Sequence, residues 1–158
     1  MTNEADKLKF KQRMQRVADV FNHQIPFHQL IGFEFDELTE ESCKVNFKKK
    51  PELIGNPFQG ILHGGVTATA LDVIGGCMAI AGMQSKNLAL SDEAISEKLT
   101  KTSTVDLRVD YVRPGKGEAF FAIAKLLRSG NKVAVVRMEL HDEDGTLIAL
   151  GTGTYMTG

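Results

Sequence analysis

The chain has 158 residues, 42% hydrophobic and 25% charged, with 19 Lys and Arg against 20 Asp and Glu and a formal net charge of −1. That length supports one core and one domain, with roughly two-thirds of the unfolded chain's surface buried on folding. The balanced charge supplies no long-range field for nucleic acid or an anionic membrane, so no nucleic-acid partner is expected. Cys43 and Cys77 lie far apart without CxxC spacing, which fits neither a disulfide framework nor a zinc site. They suit a reducing compartment. The charged stretch 4–23 lacks the apolar run of a secretory signal, so the expected location is cytoplasmic. No integral membrane segment is expected either, because the least charged stretch, 53–71, contains Gly55, Asn56, Pro57, Gln59 and His63 and is followed by Asp72.

Residues 4–23 read as an amphipathic helix, with Phe10, Met14, Val17 and Phe21 at i, i+4, i+7 and i+11. Lys7, Lys9, Lys11, Arg13 and Arg16 crowd the remaining surface and read as its solvated face. Pro26 breaks the chain. Residues 32–38 and 42–49 alternate as two strands about a turn at 39–41, and 50–63 is irregular. Residues 66–82 are apolar or small on every face and too many for a strand, which predicts a helix buried all round. A polar connection, 83–101, follows, with a short helix at 92–98 capped by Ser91. It is longer than a helix-to-strand link requires, so a lid or chain-length selector is expected there.

The remainder is strand. In 103–113, Val105, Leu107, Val109 and Tyr111 share one face, and Thr104, Asp106, Arg108 and Asp110 the other. Strands at 119–128, 132–141 and 146–156 follow, joined by turn-rich segments. A wholly apolar helix among about six antiparallel strands has to be wrapped by the sheet, an α+β architecture. Such a pair of layers leaves a sheet edge for a second copy to cover. Gly75 and Gly76 weaken the helix by roughly 1 kcal/mol each, which points to close approach by the sheet or a partner's helix.

Asp72 is the only charge between Glu52 and Lys86. A lone buried carboxylate costs several kcal/mol unless it is paired, hydrogen-bonded or neutralised. A pocket-facing general base or nucleophile is therefore expected. His63-Gly64-Gly65 stands at the helix start, where amides unobstructed by side chains can receive negative charge developing on oxygen. The GxxxxGK[ST] phosphate-loop pattern is absent. A carboxylate nine positions after the His, combined with such donors, is the layout of acyl transfer to water. His23 and His28 straddle Pro26 without metal spacing, and 141–145 reads as a hairpin turn, not a calcium loop, so no metal site is expected.

The stretch Gly60-Ile-Leu-His63-Gly64-Gly65-Val-Thr-Ala-Thr-Ala-Leu-Asp72 resembles the signature of hotdog-fold acyl-CoA thioesterases of the PaaI-like type. Residues 104–114 and 145–154 resemble that family's strand after the helix and its closing strand, and the whole chain is most similar to the YigI-like branch. The resemblance implies a hotdog core over 30–156, with 1–28 an added helix and linker, working as a homodimer or homotetramer without a cofactor. It implies that Gly64 polarises the thioester carbonyl and that Asp72 activates water or attacks directly. His63 and Gly65 would border the site, and Thr104 would orient the water. Relatives often carry Asn or Gln six residues before the His; here Pro57 stands there, so Asn56 or Gln59 would serve. Arg113, Lys116, Arg128 and Lys132 are the expected cations for the CoA phosphates, and Asp72 and Gly64 would come from different chains. Two rival readings are a hotdog hydratase or dehydratase using His63 with Asp72, and a non-catalytic acyl-CoA-binding module.

Overall fold

Asn3 opens helix α1 (Glu4–His23) by accepting the Asp6 N–H at 2.8 Å, and the Phe10, Met14 and Val17 stripe is buried as its periodicity predicts. The computed structural model describes residues 3–158. Pro26 does not merely break the chain. It is the first residue of a second helix, α2 (Pro26–Ile31), which ends at Gly32 with φ +88°. Proline suits that first position because its missing N–H has no helical partner there.

Strands β1 (Glu34–Leu38) and β2 (Cys43–Lys48) follow as predicted. The irregular stretch after them contains a 3-10 turn at Pro51–Leu53 and a small antiparallel ribbon, β3 (Ile54–Asn56) with β4 (Ile61–Leu62). Helix α3 (Gly64–Lys86) begins earlier and ends later than its apolar run, and α4 (Asp92–Thr100) occupies the polar connection. Strands β5 (Ser103–Tyr111), β6 (Ala119–Ser129), β7 (Val133–Asp142) and β8 (Leu147–Met156) complete the main sheet, in the order β1-β2-β6-β7-β8-β5 with every pairing antiparallel.

Helix α3 lies across this sheet, with Ala70, Leu71, Ile74, Cys77, Met78, Ala79 and Ala81 fully buried. Each of its larger side chains contributes about 1.5–3 kcal/mol of hydrophobic stabilisation. By length and composition α3 is apolar enough to cross a membrane, but 72% of its most apolar window is buried inside the fold, as in a core helix. Tyr155 of β8 packs so closely under α3 that a Cβ at Gly75 would lie 2.1 Å from its hydroxyl oxygen. A Cβ at Gly76 would meet nothing nearer than the Tyr155 ring at 3.8 Å. Only Gly75 is therefore explained by close approach of the sheet.

Two expectations change. The first concerns the basic face of α1, which is not simply solvated. Arg13 is 3% exposed and donates to the carbonyls of Asn87 and Leu90 and to Asp92, while Lys9 donates to the carbonyls of Leu88 and Leu90. Arg16 pairs with Asp92 at 2.7 Å. These cations satisfy backbone carbonyls of the α3–α4 connection, which a polar loop packed against protein requires.

The second change is in β5. Its pairing with β8 is interrupted between Thr104 and Asp106, so that Thr104 faces Tyr155 and Asp106 faces Thr154. Val105 is the extra residue of a β-bulge, and it breaks the period-2 alternation. Thr104 thus shares the inner face with Leu107, Val109 and Tyr111 and does not lie with Asp106, while Val105 is 56% exposed.

Candidate active site

The start of α3 is built by its neighbours. His63 is the N-cap, and its Nδ1 accepts the Gly65 N–H at 2.8 Å, so the ring carries its proton on Nε2. The His63 carbonyl accepts from Val66 and Thr67. Gly55 in β3 presses against His63, where a Cβ would come within 2.5 Å of the His63 Cα. The Tyr111 hydroxyl donates to the Gly64 carbonyl at 2.9 Å. Among the described residues, none accepts from the Gly64 N–H. That amide is the free donor at the positive end of a 23-residue helix.

Asp72 is half-buried two turns further along. Its Oδ1 accepts from Thr104 Oγ1 at 3.0 Å, and its backbone carbonyl accepts from the Tyr155 hydroxyl at 3.2 Å. Burial, and then the charge of Asp72, push the Tyr155 hydroxyl far above the ordinary tyrosine range, so it stays a donor. Thr104 therefore holds the carboxylate itself. Eight residues of helix separate Gly64 from Asp72, about 12 Å of rise. One carbonyl cannot touch both groups of the same chain, because reacting atoms need to lie roughly 3–3.5 Å apart.

The remaining candidates divide. Asn56 Oδ1 accepts from Phe58 and Gln59 N–H groups, so this side chain closes the β3–β4 turn. Gln59 is exposed on the same turn. Arg113 shares a cleft of about 360 Å³ with Leu62, Gly64, Thr67, Tyr111 and Ile148, and donates to the Leu147 carbonyl at 3.1 Å. Lys116 is exposed just beyond Gly115, whose carbonyl accepts from Leu62 N–H. Arg128 and Lys132 flank the β6–β7 turn, where Lys86 at the end of α3 donates to the Ser129 carbonyl. That is the far end of a helix about 35 Å long, so within one chain they do not join Gly64. Sequence reasoning missed Tyr111 and Tyr155 as supports of the site. Both are phenols on otherwise apolar strand faces, and a hydroxyl there needs a partner.

A glycine amide free at a helix N-terminus and a threonine-braced carboxylate two turns later are now joined to a fold. Residues 59–149 match the family model of the thioesterase superfamily. The chain belongs to the thioesterase superfamily. It is similar to the medium/long-chain acyl-CoA thioesterase YigI of Escherichia coli K12, at 42% identity over 96% of this chain and 97% of that protein. A crystal structure from Shewanella oneidensis, described as related to the thioesterase superfamily, superposes with a TM-score of 0.92 at 46% identity, covering 99% of this chain and 100% of that one. Zebra fish thioesterase superfamily member 2 matches with a TM-score of 0.70 at 23% identity, over 92% and 98% of the two chains. That likeness carries the fold alone. As the sequence reading expected, this thioesterase-superfamily chain wraps an antiparallel six-stranded sheet around a long central helix.

Proposed function

We propose that this protein hydrolyses medium- or long-chain acyl-CoA to the free acid and CoA, as a PaaI-like hotdog enzyme of the YigI-like branch, with the whole chain one domain. The observation that carries the reading is the unpartnered Gly64 N–H on the same helix as the Thr104-braced Asp72. The Asp72 carboxylate takes a proton from water as the oxygen adds to the thioester carbon. The oxyanion accepts from the Gly64 N–H, the C–S bond then breaks, and the proton passes to the departing thiolate. His63 is engaged as a cap through Nδ1, which favours hydrolysis over hydratase chemistry because that nitrogen is not free as a base.

The 12 Å between the two groups calls for a second copy, with Gly64 of one protomer facing Asp72 of the other. The sheet offers an edge for it. At β1 the Asn22 side chain meets both the Phe35 N–H and its carbonyl, which blunts that edge. Strand β5, nine residues long, is the other edge, and it carries exposed Val105 and Tyr111. Two β5 strands pairing across a two-fold axis give a homodimer, and a dimer of dimers gives the homotetramer. Arg113 and Lys116, beside the Gly64 cleft, meet the CoA phosphates, and the reaction is placed in the cytoplasm.

The test is thiol release from a panel of acetyl-, hexanoyl-, lauroyl-, palmitoyl- and phenylacetyl-CoA. Asp72→Asn is expected to lose turnover by about 10²-fold or more while keeping its melting temperature. Absence of thiol release from every substrate would overturn the proposal, and a variant as active as the parent would remove Asp72 from the mechanism.

A further inference from the structure

Helices α1, α3 and α4 line a half-open cavity of about 380 Å³ that the site above does not use. Its walls are Val17, Val20 and Phe21 of α1, Ile80 of α3, and Ile95 and Leu99 of α4. We propose that this cavity seats the far end of the substrate's acyl chain, which reaches it from Asp72 over the bare backbone of Gly76. The inference rests on the acyl-CoA hydrolase reading and names which part of the fold measures the chain.

Three observations on α3 and the size of the cavity carry it. Asp72, Gly76, Ile80 and Gln84 succeed one another at i+4, so they form one ridge from the carboxylate to the cavity. Gly76 removes the side chain between Asp72 and Ile80. Glycine inside a helix is destabilising, and sheet packing does not require it here, since a Cβ would meet only the Tyr155 ring at 3.8 Å. The run from Asp72 to Ile80 and Gln84 is about 12 and 18 Å of helical rise, a span for a medium or long chain and not for an acetyl group. The cavity volume falls within the roughly 300–1,000 Å³ of small-molecule sites.

The chemistry of the walls selects a hydrocarbon tail over a charged head. The cations at the margin, Arg13 and Arg16, are both paired with Asp92 and so leave little attraction for a free carboxylate. At the far end stands Gln84, 1% exposed, whose Oε1 has no hydrogen-bond partner. That oxygen is itself inaccessible, so Gln84 closes this end of the cavity as a packed side chain and presents no free acceptor to a carboxylate or a headgroup. Helix α1 supplies three apolar wall residues and, through Lys9 and Arg13, ties down the connection from which α4 starts. The added N-terminal helix thereby becomes part of the substrate site.

The experiment compares kcat/KM for palmitoyl-CoA with that for butanoyl-CoA, together with calorimetric binding of the non-hydrolysable S-hexadecyl-CoA. Gly76→Val places a side chain on that path and Leu99→Phe fills the cavity. Each is expected to lower the palmitoyl-to-butanoyl ratio by at least about tenfold and to weaken S-hexadecyl-CoA by a similar factor. Ratios that stay within about twofold of the parent in both obstructing variants would overturn the inference. Equal loss on both substrates would also overturn it, because that outcome assigns Gly76 to helix contact. Palmitate that fills the cavity without competing with S-hexadecyl-CoA would do the same, by making this a separate fatty-acid site. Should the parent release no thiol at all while the obstructing variants still weaken S-hexadecyl-CoA, the chain-seating inference stands and the hydrolase reading falls.

Discussion

The carboxylate of Asp72 and its backbone are gripped by different strands, Thr104 from β5 at Oδ1 and Tyr155 from β8 at the main-chain carbonyl. Loss of the Thr104 hydroxyl leaves the carboxylate free to rotate while substrate contacts persist. Thr104→Val is accordingly expected to lower kcat by about tenfold or more with little change in KM, and Thr104→Ser to restore it. The paired glycines separate a packing role from a permissive one. Gly75→Ala drives a methyl into the buried Tyr155 hydroxyl and is expected to cost about 1–3 kcal/mol in urea denaturation. Gly76→Ala has room and is expected to gain about 0.5–1 kcal/mol through helix propensity. Asp72 stands out in the sequence because it is a lone charge in an apolar helix. Tyr155 does not, because its partner lies 83 residues away.

Within β5 a single inserted residue sets Thr104 and Asp106 on opposite faces. Deleting Val105 removes the bulge and leaves Thr104 next to Asp106 and opposite Tyr155 on the inner face, so this variant is expected to fold, as judged by circular dichroism, and to escape the activity loss of Thr104→Val. Helix α2 carries a second local device. His28 sits against Phe21, Phe33 and Phe35, and its Nδ1 donates to the Phe21 carbonyl at 3.0 Å. Burial lowers its pKa below the ordinary 6.5, partly offset by that hydrogen bond. The folded state therefore binds this proton less readily than the unfolded chain. Its contribution to stability is complete above pH 6.5 and is lost as the pH falls through the lowered value. Thermal midpoints are expected to drop on acidification through that window, and His28→Phe to flatten this part of the profile. The period-3.6 stripe of α1 was legible in advance. The function of its basic face was not, since the carbonyls it satisfies belong to residues 87–90.

For the whole molecule, the proposed mechanism calls for a second copy, because about 12 Å of helical rise separate Gly64 from Asp72 in one chain. Gly64→Pro removes the N–H at the first helical position, where proline is accommodated, and His63 already has the extended backbone (ψ 136°) that precedes a proline. Co-expression of Gly64→Pro with Asp72→Asn tests the arrangement between chains. Each variant alone is expected to be inactive. Hybrid dimers rebuild one site from the intact Gly64 of one protomer and the intact Asp72 of the other. A random mixture is then expected to recover about a quarter of parental turnover in a thiol-release assay. No recovery would place both groups of each site in one chain.

Order and type of the main elements, the buried helix, and the pairing of His63-Gly64-Gly65 with Asp72 follow from the amino-acid sequence, because periodicity and a lone charge are local signals. A balanced chain of 158 residues with one charge-poor stretch already points to a single core built around one helix. Three features were decided only by the tertiary structure. These are the bulge that brings Thr104 to Asp72, the separation of Arg113 and Lys116 from Arg128 and Lys132, and the half-open cavity that α1 and α4 line with α3. Each depends on register and on contacts between residues distant in the chain. One inserted residue inverts a strand face there without altering any local pattern.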